Sequence, residues 1–275
     1  MRAFDIAGVR VGNDLPLVVI AGPCQLESTD HALMIAERLA GICAGLGLGF
    51  IFKASFDKAN RSALGTPRGP GLAAGLDMLA EVKTRLGVPV LTDVHLPEHC
   101  APVARVADVL QIPAFLCRQT DLLLAAGQTG RAVNVKKGQF LAPEDMHNVV
   151  EKIASRGNHG AMICERGTSF GYNNLIVDFR SIPVMQAYGQ PVIFDATHST
   201  QRPGGLGDRT GGDRDMAPAL AAAAVAVGAD GVFLETHPDP DSALSDAATM
   251  LPCDTVGPLL QQLKAIAAAA AGRPQ

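Results

Sequence analysis

Polar and titratable side chains in this sequence gather at the ends of apolar runs. The first run ends in Pro23-Cys24-Gln25, the second in Lys53 and then Ser55-Phe56-Asp57-Lys58-Ala59-Asn60-Arg61-Ser62, the third in Asp93 and His95. Later runs end in Gln111 and Arg118, in Asn134, Lys136 and Lys137, in Glu165 and Arg166, in Asp195 and His198, and in Glu235 and His237. Two chemistries separate. Cys24, His198 and Glu235 offer thiolate, imidazole and carboxylate, a set that suits a borderline-soft divalent metal such as Zn, Fe or Mn. Asp246, in ALSDAATM, is a fourth candidate, although an isolated loop aspartate is commonly a turn former. His237 is an alternative ligand, and Cys24 taken alone reads as well as a small buried residue. The second group is cationic: Lys53, Lys58, Arg61, Arg118, Lys136, Arg166 and Arg202. Such residues at loop bases are usually solvated. Lys53, Lys136 and Arg166 abut apolar runs, where burial without an anion is costly. Asp57, Asp93 and Glu165 could pair with some of them. The cations outnumber that supply, which points to a substrate carrying phosphate and carboxylate groups.

Spacing along the chain matches no local metal motif, so a fold has to bring these residues together. Eight β-branched, apolar runs read as strands: Leu17–Gly22, Phe50–Ala54, Pro89–Val94, Val109–Ala114, Ala132–Lys137, Ala161–Arg166, Pro191–Thr197 and Gly231–Thr236. A helical pattern follows each. The first helix, in DHALMIAERLAGICAGLG, has an aspartate, Asp30, as its candidate N-cap. FRSIPVMQAYG, interrupted by Pro183, is the weakest of the eight. Strands alternating with helices imply a parallel sheet with right-handed crossovers, buried on both faces. At this length the economical α/β solution is a closed (β/α)8 TIM barrel, which would place all the polar strand ends at one mouth. An open doubly wound sheet is the other solution, but no G-x-G-x-x-G follows the first strand. Residues 1–14 fall outside the repeat and read as a short N-terminal β-hairpin cap, and residues 1–275 as a single barrel domain. Two loops rich in Gly and Pro, Ser55–Gly71 and Ser199–Arg214, read as mobile lids or as plain connectors.

The chain has 275 residues, 48% hydrophobic and 18% charged, with a formal net charge of −4. That excludes a disordered chain. The absence of a basic run disfavours a nucleic-acid binder. No apolar run reaches the length of a membrane span and no signal-peptide core is present, so a cytoplasmic protein is expected. The six cysteines include no C-x-x-C pair, and a disulfide framework is not expected.

FKASFDKANRS, LTDVH, QIPAFLCRQTDLL, NVKKGQF, ERGTSFGYNNLIVD, PVIFDATHS and ETHPDPDSALSDA together resemble the 3-deoxy-D-manno-octulosonate 8-phosphate synthases, from about Val11 to Leu263. KANRS is the most specific segment; the related 3-deoxy-arabino-heptulosonate 7-phosphate synthases, which use erythrose 4-phosphate, typically carry K-P-R-T-S there. The resemblance implies a homotetrameric barrel enzyme that condenses phosphoenolpyruvate with arabinose 5-phosphate and water, releasing phosphate, on the route to the lipopolysaccharide inner core. AGPCQLES resembles the branch that requires one divalent metal per subunit. Cys24, His198, Glu235 and Asp246 then match its ligands, which moves Asp246 up and His237 down.

By the same resemblance, Lys53, Lys58, Gln111, Lys136 and Arg166 match positions that hold phosphoenolpyruvate, with Asp93 beside them. Asn60, Arg61 and Ser62 match the grip on arabinose 5-phosphate. Arg118 matches an arginine that reaches the sugar phosphate of a neighbouring subunit. The metal would activate the water that adds to C2 or orient the aldehyde. Lys136, read as a buried lysine among cations, is the candidate acid, and His198, Asp246 and His95 stand as further catalytic candidates. A barrel that binds sugar phosphates without turnover is the non-enzyme alternative.

Overall fold

The computed structural model describes residues 3–13, 15–60, 65–205 and 210–271. It begins with an antiparallel hairpin, β1 (Ala3–Ile6) and β2 (Val9–Gly12). The barrel then alternates β3 (Val18–Gly22), α1 (Thr29–Leu46), β4 (Gly49–Lys53), α2 (Leu72–Leu86), β5 (Val90–Asp93), α3 (Pro97–Ala104), β6 (Val109–Ile112), α4 (Thr120–Gln128), β7 (Ala132–Lys136), α5 (Met146–Ala154) and β8 (Ala161–Glu165). A small hairpin of β9 (Thr168–Ser169) and β10 (Leu175–Ile176) precedes α6 (Ser181–Gln186) and β11 (Val192–Asp195). A second small ladder, β12 (Gln201–Arg202) with β13 (Gly211–Gly212), precedes α7 (Ala217–Val227), β14 (Gly231–His237), β15 (Leu251–Pro252) and α8 (Cys253–Ala271).

Eight parallel strands run in the order β11-β8-β7-β6-β5-β4-β3-β14, and β11 pairs with β14 to close the ring. Every expected strand is found, within a few residues at its ends, and so is every expected helix. Side chains alternate across the strands. Val18, Ile20, Ile51, Leu91, Val109, Met162, Ile193 and Phe233 fill the barrel interior, while Val19, Ala21, Phe52, Leu110 and Leu234 pack outward under the helices. Ile6 and Val11 of the hairpin join the interior cluster, so the hairpin closes the barrel floor as its sequence suggested.

One capping assignment changes. Ser28, not Asp30, caps α1: its hydroxyl accepts from His31 N at 3.2 Å, and Asp30 lies inside the first turn. Its negative charge favours the helix N-terminus from there without a capping bond. The two short ladders were not anticipated, because two-residue strands carry no alternation to detect. Among the described residues no helix is long and apolar enough to cross a membrane.

Candidate active site

At β3 the chain makes a close approach that only glycine allows. A Cβ on Gly22 would sit 2.0 Å from the Lys53 carbonyl oxygen. This proximity brings Pro23 and Cys24 over the end of β4, where Lys53 Nζ donates to Cys24 O at 2.8 Å and to Pro23 O at 3.3 Å. The same ammonium pairs with Glu235 from β14, and Lys58 Nζ lies 3.9 Å from that carboxylate. Asp246 comes from the loop after β14 with φ +49°, the left-handed region that aspartate tolerates better than most residues. Its backbone oxygen accepts from Thr249 N and Met250 N, so it forms a turn as well as facing the site.

Cys24, Glu235 and Asp246 place one ligand atom each within 4.8 Å of one another. Cys24 Sγ donates to Asp246 Oδ2 at 3.0 Å. Burial, then the Asp246 and Glu235 charges, push the thiol well above its ordinary range. Glu235 is fully buried, yet its Oε2 has no hydrogen-bond partner. His198 Nε2 lies 3.5 Å from that oxygen. On its other side, His198 Nδ1 lies 2.7 Å from Asp195 Oδ2, the carboxylate–imidazole arrangement that presents Nε2 to a metal. Burial opposes charge on Asp195, but His198 and Lys136 beside it hold it far below the usual carboxylate range. An orphaned buried carboxylate oxygen, a thiol and a second carboxylate this close together fit a divalent cation, whose charge would favour the thiolate that burial and the carboxylates disfavour.

The cations are better paired than sequence reasoning expected. Their partners are Glu235 and Asp195, not the sequence-near Asp93 or Glu165. Lys136 was expected among other cations. Instead its ammonium pairs with Asp195, lies 3.4 Å from His198 Nδ1, and sits 3.5 Å from the Phe233 ring centroid. Arg166 is different. It is 4% exposed, its Nη1 has no partner, and among the described residues no carboxylate lies within salt-bridge reach of it. Burial pulls its pKa down from the ordinary arginine value. Its Nη2 donates to Gln201 Oε1 at 2.5 Å. A buried guanidinium with an idle donor is a receptor for an anion.

Between these walls lies a cavity of about 410 Å³, lined among others by Lys53, Lys58, Asn60, Asp93, His95, Gln111, Lys136, Arg166, His198, Glu235 and Asp246. A buried polar chain stiffens its floor. Ser55 Oγ and Gln111 Nε2 donate to the two oxygens of Asp93, and Asn134 Nδ2 donates to Gln111 Oε1 at 2.9 Å. Burial alone would raise the Asp93 pKa; the Lys58, Lys53 and His95 charges and the Ser55 bond bring it down to about 2. His95 packs edge-on to Phe56 at 5.7 Å, and burial lowers its pKa.

Arg61 and Ser62 lie outside the described residues. Arg118 is exposed and does not line the cavity. His237, the alternative ligand, turns away: its Nδ1 accepts from Asp239 N at 3.1 Å, its Nε2 lies 3.5 Å from Glu27, and its ring packs tilted against His31 with centroids 4.7 Å apart. Gln201, which joins Arg166 to Asp246, was missed. A single glutamine in a Gly-rich loop carries no signal in sequence.

Fold and site define a (β/α)8 barrel whose mouth sets a buried arginine and lysines beside a thiol and two carboxylates that could hold a metal ion. The sequence model of the DAHP synthetase I family matches residues 3–269, and the chain belongs to that family. Over 96% of its length it is 59% identical to the 2-dehydro-3-deoxyphosphooctonate aldolase of Granulibacter bethesdensis, covering 93% of that protein. Likewise it is 58% identical to the protein of that name from Bradyrhizobium diazoefficiens, over 96% of this chain and 94% of the relative. It is 56% identical to that of Trichlorobacter lovleyi, over 96% and 97%.

Proposed function

We propose that this chain is a metal-dependent 3-deoxy-D-manno-octulosonate 8-phosphate synthase. It condenses phosphoenolpyruvate with arabinose 5-phosphate and water to give the octulosonate phosphate and inorganic phosphate. The observation that carries the reading is the division of one site: buried Arg166, with an unpartnered Nη1, on one wall of the cavity, and Glu235 and Asp246 on another, within 4.8 Å of each other and of Cys24. The names of the relatives support the substrate pair, and favour it over the heptulosonate alternative.

C3 of phosphoenolpyruvate forms the new bond to the aldehyde carbon. Water adds at C2, and the C2–O bond to phosphate breaks. The water gives up both its protons: one goes to the aldehyde oxygen and, as C2 becomes a carbonyl, the other leaves with the phosphate, so atoms and charge balance. Arg166 Nη1, with Lys136 and Lys53, binds the phosphate and carboxylate and stabilises the departing phosphate. Gln111 and Asp93 form a rigid floor under the enol. Lys136 Nζ holds a proton at the reacting centre, and His95 and the Asp246 carboxylate are the candidates for moving the others. Asn60, with Arg61 and Ser62, grips the sugar phosphate. Cys24, His198, Glu235 and Asp246 would hold the divalent ion, Zn, Fe or Mn, which supplies Lewis-acid charge where water and aldehyde meet. The enzyme is a cytoplasmic homotetramer in which Arg118, exposed and not lining its own cavity, completes a neighbour's sugar-phosphate site.

Phosphate release from phosphoenolpyruvate with arabinose 5-phosphate, compared with erythrose 4-phosphate, tests the reading. Turnover with the five-carbon sugar is expected. Preference for the four-carbon sugar, or binding of both substrates without turnover, would contradict it.

A further inference from the structure

Gln201 stands between the two halves of the cavity, at the base of a loop. Its Oε1 accepts from Arg166 Nη2 at 2.5 Å, and its Nε2 donates to Asp246 Oδ1 at 2.9 Å. The two ends of this bridge have opposite needs. A guanidinium only donates and an ionised carboxylate only accepts. One side chain can satisfy both only if it carries an acceptor and a donor at its tip, as a neutral amide does. Glutamate would face Asp246 with another acceptor, and lysine or arginine would face Arg166 with another donor.

Bonding at Asp246 makes the bridge specific. Its Oδ2 takes Cys24 Sγ at 3.0 Å and Ser245 Oγ at 3.1 Å, and Oδ1 takes Gln201. Gln201 therefore sets which carboxylate oxygen faces the thiol. At the other end it occupies Nη2 of Arg166, a residue that lines the cavity, while Nη1 has no partner. Its own backbone is anchored to the turn that carries Asp246. Gln201 pairs with Gly212 in the β12–β13 ladder, and a Cβ on Gly212 would lie 2.1 Å from Thr249 Cγ2. Asp213 N donates to Thr200 O at 3.1 Å beside it.

We infer that Gln201 is a positioning residue that couples the anion side of the cavity to the cation side, so that phosphoenolpyruvate on Arg166 tightens the hold of Asp246 on a divalent ion, and the ion tightens the hold of Arg166 on phosphoenolpyruvate. This rests on the function proposed above. Reciprocity follows from linkage: each ligand changes the affinity of the other by the same factor.

Calorimetric titration of the metal-stripped full chain with Cd²⁺, without and with saturating phosphoenolpyruvate, tests it. In the wild type, phosphoenolpyruvate should lower the Cd²⁺ Kd by about fivefold or more. Gln201→Met keeps the length of the side chain and removes both bonds. Its Cd²⁺ Kd should rise by roughly 10- to 100-fold, as on loss of a partner that orients a metal ligand, and the effect of phosphoenolpyruvate should vanish. Gln201→Asn keeps the amide but is too short to reach both partners, so both quantities should fall between those of wild type and Gln201→Met. That variant also decides the matter if Gln201→Met does not fold. A variant that keeps the wild-type Cd²⁺ Kd and the wild-type response to phosphoenolpyruvate overturns the coupling alone. A wild-type protein that binds neither Cd²⁺ nor phosphoenolpyruvate overturns the site reading and the coupling together.

Discussion

At the scale of single residues, the site works by arranging unequal partners. Arg166 is buried with no carboxylate of the described residues in salt-bridge reach, so the Asp195, Asp246 and Glu165 charges and the Gln201 bond offset its desolvation only in part, and an arriving anion adds the direct partner. Arg166→Ala should raise the KM for phosphoenolpyruvate by roughly 10- to 100-fold, the worth of one charge-assisted pair of hydrogen bonds, and leave that for the sugar phosphate less affected. Steady-state kinetics with each substrate varied in turn checks it; equal effects on the two would contradict the assignment. Asp93 gives a pH signature. Its carboxyl is held at about 2 when folded, below an unfolded value of about 3.9. Its contribution to stability is therefore present above pH 4 and lost as pH falls through about 2. Denaturant midpoints measured from pH 5 to 2 should fall less steeply for Asp93→Asn than for the wild type. Most residue types at the mouth were legible because they lie at or just after the end of an apolar strand; Asp246, in the loop beyond β14, was not legible that way. Nor was the pairing: Lys53 meets Glu235, 182 positions away, and no local pattern records that.

At the scale of elements, the barrel depends on close approaches that sequence shows only as glycine. Gly22 admits the Lys53 carbonyl where a methyl group would stand 2.0 Å from it. Gly22→Ala should destabilise by about 1–3 kcal/mol and displace Cys24 and Lys53, lowering Tm and activity together. Thermal melts with parallel assays would show it. The hairpin is the opposite case, a structural plug far from the mouth. Ile6→Ala should cost about 2 kcal/mol in a denaturation curve and leave kcat unchanged. A large loss of kcat without a shift in midpoint would mean that the floor does more than close the barrel. All eight strands were readable because a parallel barrel buries both faces and so makes each strand a continuous apolar run. β9–β10 and β12–β13 were not, since each strand spans two residues. The second of these ladders is the one that carries Gln201.

At the scale of the whole molecule, a formal net charge of −4 conceals an internal division. The mouth sets Arg166, with no carboxylate of the described residues in salt-bridge reach, apart from buried carboxylates and a thiol that lie among Lys53, Lys58 and Lys136, and neither average charge nor sequence order reveals the boundary. Arg118 belongs to this scale as well. It is exposed and lines no part of its own cavity, so its expected use requires a second copy. Sedimentation should give a tetramer, and Arg118→Ala should raise the KM for arabinose 5-phosphate without changing the assembly. The central claim is that this division is catalytic and that the acidic side holds a metal. Phosphate release from phosphoenolpyruvate and arabinose 5-phosphate, assayed on chelator-stripped protein and again after adding back single divalent ions, tests it most directly. The account predicts that stripping abolishes turnover and that at least one of Zn, Fe or Mn restores it. Full activity in metal-free protein would contradict it.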